Sequence, residues 1–121
     1  MKLSHVNVTM PEGGEARART FYHDLLGLAE IPKPAAIRNR GGVWFDAGGL
    51  DVHISVEENR LSPDARRHFG LECEDVAKLR ARLEAAGFKT EDGRPVPWLR
   101  FLVCDPFGNR IEIHEAGGLR S

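Results

Sequence analysis

Four residues in this 121-residue chain have types and positions suited to metal chemistry: His5, His53, His68 and Glu112. Each sits in a short segment where apolar residues alternate with polar ones. Neutral imidazole and carboxylate donors together suit Zn, Ni, Fe, Mn or Co, and imidazole argues against Mg or Ca. Three or four protein ligands leave coordination positions open for water or substrate, as a catalytic metal requires. Taken singly, each is an ordinary strand residue. Taken together, at matching places in an internal repeat, they point to a divalent metal. His23, beside Asp24 on a helical stretch, reads as merely exposed. His114 shares strand parity with Glu112 and reads either as a cleft residue or as a solvent-facing one, whereas Glu115 has the opposite parity.

The repeat is visible without alignment to anything else. His5-Val6-Asn7-Val8 has a counterpart in His68-Phe69-Gly70-Leu71, 63 positions later. Leu26-Gly27-Leu28 has one in Ala86-Gly87-Phe88, 60 positions later, so the first half carries extra residues near Pro11–Gly14. Phe45 through Ile54 matches Cys104 through Ile113 at an offset of 59 without a gap, pairing Asp46 with Asp105, Gly49 with Gly108 and His53 with Glu112. Two copies of one supersecondary unit are expected.

The elements follow from periodicity. Ala18, Phe21, Tyr22, Leu25 and Leu26 form one helical stripe that Gly27 should stop. Val76, Leu79, Leu83 and Ala86 form another, with Asp75 as N-cap and Gly87 as stop. Strands of period two contain Val6 and Val8; Val52, Ile54 and Val56; Phe69, Leu71 and Cys73; and Ile111 and Ile113. Each half thus reads as strand, helix, then two or three strands, with turns at Asp46–Gly49 and Asp105–Asn109. If the apolar set covers the helices, the opposite faces hold His5 with Asn7, His53 with Ser55, His68 with Glu72, and Arg110, Glu112 and His114.

Composition removes several classes of function. A net charge of -1, with 29% charged residues scattered along the chain, offers no electrostatic reason for nucleic acid or an anionic membrane as partner. No apolar run approaches the roughly 18 residues that span a bilayer. The opening MKLSHVNVTM has no apolar core of a secretory signal. Cys73 and Cys104 are expected to be buried free thiols in a reducing cytoplasm. Neither Gly13-Gly14 nor Gly41-Gly42 belongs to a phosphate-binding motif, and no GxSxG or Cys-His nucleophile pattern is evident.

His5-Val-Asn-Val, the helix end Phe21-Tyr22-His23-Asp24-Leu25-Leu26-Gly27-Leu28, and Asp105-Pro106-Phe107-Gly108-Asn109-Arg110-Ile111-Glu112-Ile113 resemble the vicinal oxygen chelate superfamily. That group includes glyoxalase I, methylmalonyl-CoA epimerase, extradiol dioxygenases, fosfomycin-resistance transferases and bleomycin-binding proteins. The resemblance covers essentially the whole chain. It implies an α+β fold in one vicinal-oxygen-chelate domain, 1–121. Two tandem βαβββ modules, about 1–60 and 64–116, would form a curved mixed sheet around a cleft. It also implies a homodimer, in many members with the cleft completed across the interface.

The family's metal positions map to His5, His53, His68 and Glu112. The glyoxalase and epimerase pattern has Glu or Gln where this chain has His53, while His5, His68 and Glu112 alone match the two-His-one-carboxylate set of extradiol dioxygenases and fosfomycin transferases. His53 is then an extra ligand or an acid–base group, and His53 and Glu112 are the expected catalytic residues. The expected activity is that of a metal-dependent cytoplasmic enzyme on a small oxygenated substrate. Glyoxalase-like lyase or isomerase chemistry comes first, with extradiol-type oxygen chemistry and a non-catalytic drug- or metabolite-binding protein as alternatives. Asn7, Arg38, Trp44, Glu72, Arg100 and Arg110 are the substrate candidates, and Asn39, Arg40 and Trp98 are further residues that could line the cleft mouth.

Overall fold

The computed structural model describes residues 1–58 and 66–118. The chain divides into two compact units, Met1–Ser62 and Pro63–Ser121. In the first, strand β1 (His5–Met10) leads into helix α1 (Glu15–Ala18), which continues as a π-helix over Arg19–Leu25; β2 (Ala29–Ile31), β3 (Val43–Asp46) and β4 (Asp51–Val56) follow. In the second, β5 (His68–Cys73), α2 (Val76–Ala85), β6 (Thr90–Glu91), β7 (Arg100–Cys104) and β8 (Arg110–Glu115) repeat the order. The sheets run β1-β4-β3-β2 and β5-β8-β7-β6, with β1 parallel to β4 and β5 parallel to β8. Each unit is therefore a βαβββ module, and the protein is α+β.

Strand parity sorts the side chains as the sequence patterning requires. Val43, Phe45, Val52 and Ile54 are buried together with Phe21 and Tyr22 of the helix. Tyr22 stacks on Phe45 with ring centroids 5.5 Å apart. In the second unit Phe101, Val103, Ile111 and Ile113 are buried along with Val76 and Leu83 of α2. The Arg80 guanidinium lies 5.6 Å from the Phe101 ring centre and adds a cation–π contact.

Two expectations change in detail. The first helical stripe is shorter than its periodicity suggests: Ala18, Phe21 and Tyr22 are buried, whereas Leu25 and Leu26 are only half-buried. The amide of Leu26 donates to the Phe21 carbonyl five residues back at 3.0 Å, and this wider turn rotates later positions off a 3.6-residue stripe. The ungapped offset of 59 also fails at one place. His53 faces Trp44 and Glu112 faces Leu102, so β4 and β8 correspond at 59 but β3 and β7 at 58. The second turn thus has one more residue than the first, and the register counterpart of Asp46 is Cys104 rather than Asp105.

That longer turn is built on a buried carboxylate. Asp105 Oδ1 accepts the amides of Phe107 and Asn109, each at 2.9 Å, and Oδ2 accepts from the Asn109 side chain at 2.8 Å. Among the described residues the Asp46 side chain accepts only the Gly48 amide, at 3.2 Å, and Asp46 is exposed. At the entry to β3, Gly42 has φ +112°, and a Cβ there would lie 2.5 Å from the Ile54 carbonyl oxygen. Only glycine permits that backbone approach. The N-cap at Asp75 forms as expected, accepting the Lys78 amide at 3.0 Å.

Candidate functional site

In the first module the register sets Asn7, His53 and Trp44 side by side on β1, β4 and β3. All three project from the face opposite the helix. The His53 imidazole is sandwiched between two rings: Trp44, with centroids 3.6 Å apart and planes 4° from parallel, and His5, at 4.4 Å and 21°. Beyond the stack, Ser55 donates a hydrogen bond to Asn7 Oδ1 at 2.6 Å. His53 is buried, and its Nε2 lies 3.3 Å from Asp51 Oδ2. A carboxylate can only accept, so this contact places the proton on Nε2 and leaves Nδ1 with a lone pair. Burial lowers the His53 pKa; the Asp51 hydrogen bond opposes that effect and the neighbouring His5 reinforces it.

These groups border a cleft of about 290 Å³ that lies wholly within the module. Asn7, Trp44, His53 and Ser55 line it on the sheet side, and Lys33 and Arg40 line it from the connection between β2 and β3. Arg38 lies outside that lining, with its guanidinium 3.5 Å from the Lys33 carbonyl.

In the second module His68 and Glu112 occupy the positions equivalent to His5 and His53. His68 is exposed, and its Nδ1 donates to the Arg66 carbonyl at 2.7 Å, which leaves Nε2 as the free nitrogen. Glu112 is buried and ion-paired: Arg100 Nη1 is 2.6 Å from its Oε1. Arg100 also donates to the Arg94 carbonyl at 2.6 Å, while its buried Nε has no partner among the described residues. His114 is buried rather than solvent-facing, with its Nδ1 3.1 Å from the Glu115 carbonyl. Glu72 is exposed opposite His114, and Arg110 reaches Glu91 at 3.7 Å beside a smaller cleft of about 180 Å³ bordered by Cys104 and Leu102. Trp98 packs on Gly118.

Both cysteines are free, but neither is buried as the sequence suggested: Cys73 is half-buried and Cys104 exposed. Cys104 ends β7 on the face away from the core, a placement that follows from the one-residue difference between the two turns. Desolvation raises both thiol pKa values, so neither is an activated nucleophile.

Among the described residues no three His, Cys, Asp or Glu side chains are gathered to hold a metal ion. The donor chemistry nevertheless suits one. His68 carries the second hydrogen bond that typically orients a ligating imidazole, and His5 has Ser4 Oγ 2.9 Å from its Nδ1. Glu112 retains Oε2 beside the oxygen that Arg100 engages. His53 differs, because two nearly parallel rings at 4.4 Å cannot both aim an in-plane nitrogen at one ion unless one of them turns.

Asp51, at the His53 imidazole, and Lys33, in the cleft wall, are not marked by any motif in the sequence. Asp51 was accessible in principle, since it shares parity with His53 on β4. Lys33 lies in a Pro-rich connection without periodicity, and nothing local marked it.

Two matched βαβββ modules with imidazole and carboxylate on their inner strands define a class of paired-module proteins. The Glyoxalase/Bleomycin resistance protein/Dioxygenase superfamily profile matches residues 2–113, and the chain belongs to that superfamily. A crystal structure from Bacillus anthracis, of a protein assigned to the glyoxalase family, is 40% identical, with a TM-score of 0.85 over 95% of this chain and 94% of that one. The fold is shared with an antibiotic-binding protein from a Streptomyces species (20% identity, TM-score 0.71, 95% of each chain). It is also shared with a genomically encoded fosfomycin resistance protein from Listeria monocytogenes (17% identity, TM-score 0.76, 96% of this chain and 93% of that one). No curated protein matches. Among the described residues no helix is long and apolar enough to cross a membrane.

Proposed function

We propose that the chain is a metal-dependent lyase or isomerase acting on a small oxygenated molecule, with His5, His68 and Glu112 as metal ligands and His53 as the group that moves a proton. The observation that carries this assignment is the setting of His53. A buried imidazole lines a cleft, its Nε2 is held by Asp51, and its rotamer is fixed between Trp44 and His5. A base oriented by a carboxylate is the usual arrangement for general acid–base catalysis. A bound divalent ion would polarise the substrate oxygens and stabilise the negative charge that develops on them. Nδ1 of His53 takes the substrate proton and returns it, Asp51 keeps the ring in the productive tautomer, and Trp44 prevents it from swinging away. Arg100 positions Glu112 through Oε1.

Elemental analysis after loading with Ni, Zn, Co or Mn and dialysis tests the ligand set. About one ion per chain is expected in the wild type, and His68→Ala and Glu112→Gln should lose it. A metal-loaded His53→Gln variant should keep the ion while losing exchange of the substrate proton with deuterated solvent. Retention of no metal by the wild type would defeat the proposal, and oxygen consumption during turnover would favour the dioxygenase alternative.

The Arg100–Glu112 ion pair favours a second reading, a non-catalytic small-molecule-binding protein, because a guanidinium already satisfies the carboxylate that a metal would use. That reading predicts tight ligand binding without turnover and without sensitivity to chelators.

A further inference from the structure

The geometry of the first module points to an oxyanion-binding pocket in which Lys33 and Arg40 receive the carboxylate or phosphonate of a small ligand whose body lies against Trp44 and His53. The inference rests on taking this cleft as the substrate site, and it names the charge the substrate carries there.

The argument begins with unbalanced charge. Lys33 and Arg40 both line the cleft, and among the described residues no aspartate or glutamate does. Glu15 lies near Lys33, but its carboxylate is engaged by the Gly42 amide at 3.0 Å, which contributes most to lowering its pKa; Lys33 contributes least. The Lys33 ammonium donates to the Arg40 carbonyl, tying the two cationic residues together across the connection. Among the described residues the Arg40 guanidinium has no ion-pair partner, and a planar fork of donors is the group best suited to two oxygens of one anion.

The remaining wall suits an oxygen-rich ligand. Ser55 donates to Asn7 Oδ1, so the Asn7 amide hydrogens remain available as donors. Trp44 lines the cleft and is half-buried, and the indole face not covered by His53 is a flat apolar surface against which a ring or short carbon chain can lie. At about 290 Å³ the cleft is at the small end of ligand pockets, which limits the ligand to a compact molecule. The anionic group would anchor at one end and leave the oxygenated end beside His53.

Matched probes test this. 2-Hydroxybenzoate and its neutral isostere 2-hydroxybenzamide differ in the charge that Lys33 and Arg40 would read and in one oxygen acceptor replaced by an NH2 donor, and phenylphosphonate tests the other oxyanion. Binding is followed by calorimetry on the wild-type protein in EDTA, and by Trp44 fluorescence in a Trp98→Phe background, since the chain has two tryptophans. At low salt at least one acid should bind about tenfold more tightly than the amide, as expected for a charge-assisted hydrogen-bonded contact. The tighter of the two acids identifies the headgroup. Arg40→Gln should remove the preference, and Lys33→Gln should reduce it. The inference is overturned if the amide binds as well as both acids, if Arg40→Gln keeps the preference, or if no acid binds at millimolar concentration. Because EDTA is present, this binding test is independent of metal: failure of the loaded wild type to retain an ion would sink the metal enzyme, and a charge preference measured in EDTA would still leave this pocket standing.

Discussion

The imidazole of His53 lies face to face with the indole of Trp44, ring centroids 3.6 Å apart, because the β3–β4 register sets the two residues directly opposite each other. Cross-strand neighbours on one face of an antiparallel pair are the closest side-chain contacts a sheet provides. Here the contact buries a titratable ring and fixes its orientation at the edge of a cleft.

The first prediction concerns protonation. Desolvation lowers the His53 pKa, so below the ordinary histidine value of about 6.5 the unfolded chain binds a proton that the folded chain resists. This group therefore leaves stability unchanged at higher pH and costs stability as the solution is acidified past that point. Urea unfolding at pH 7.5 and pH 5 should show a larger loss in the wild type than in His53→Gln. In Trp44→Ala the NMR titration midpoint of His53 should move upward, since water regains access to the ring.

Arg100 and Glu112 form a pair whose side chains are only 17% and 11% exposed. Removing one partner leaves an uncompensated buried charge, so Arg100→Met should cost about 3 kcal/mol in chemical denaturation. The double variant Arg100→Met/Glu112→Gln should recover most of that loss, because no charge is then stranded. Full additivity of the two single substitutions would show that the pair is not coupled.

The two turns between matched strands should respond unequally to the same change. Asp105→Ala removes an acceptor of three hydrogen bonds in a buried turn and should cost roughly 3 kcal/mol. Asp46→Ala removes one long, exposed contact and should cost under about 1 kcal/mol. Thermal unfolding of both variants under one buffer condition decides it.

Gly42→Ala should destabilise by roughly 2 kcal/mol or more, since the added methyl meets a backbone carbonyl at 2.5 Å in a left-handed conformation. Gly48→Ala, with φ +75° and nothing within 4 Å, carries only the conformational penalty of about 1 kcal/mol. A smaller effect at position 42 than at position 48 would contradict the close approach.

Much of this architecture can be read from the chain. The spacing of His5 and His68, the period-two runs and the glycine stops identify two copies of a strand–helix–strands unit and the face on which the polar residues stand. The one-residue gap between the copies is hidden in the sequence because an Asp and a Gly in each turn allow an ungapped alignment. Only strand register distinguishes the four-residue turn from the five-residue one.

What the sequence alone determined is periodic: which residues lie on which face, where helices stop, and that the two halves repeat one unit. Those properties depend on local geometry that repeats every two or 3.6 residues. The tertiary structure decided what stands next to what across strands. It stacked His53 between Trp44 and His5, set Asp51 at its Nε2 and gave Glu112 to Arg100. These contacts join residues whose adjacency depends on register, turn length and rotamer, which no local period encodes.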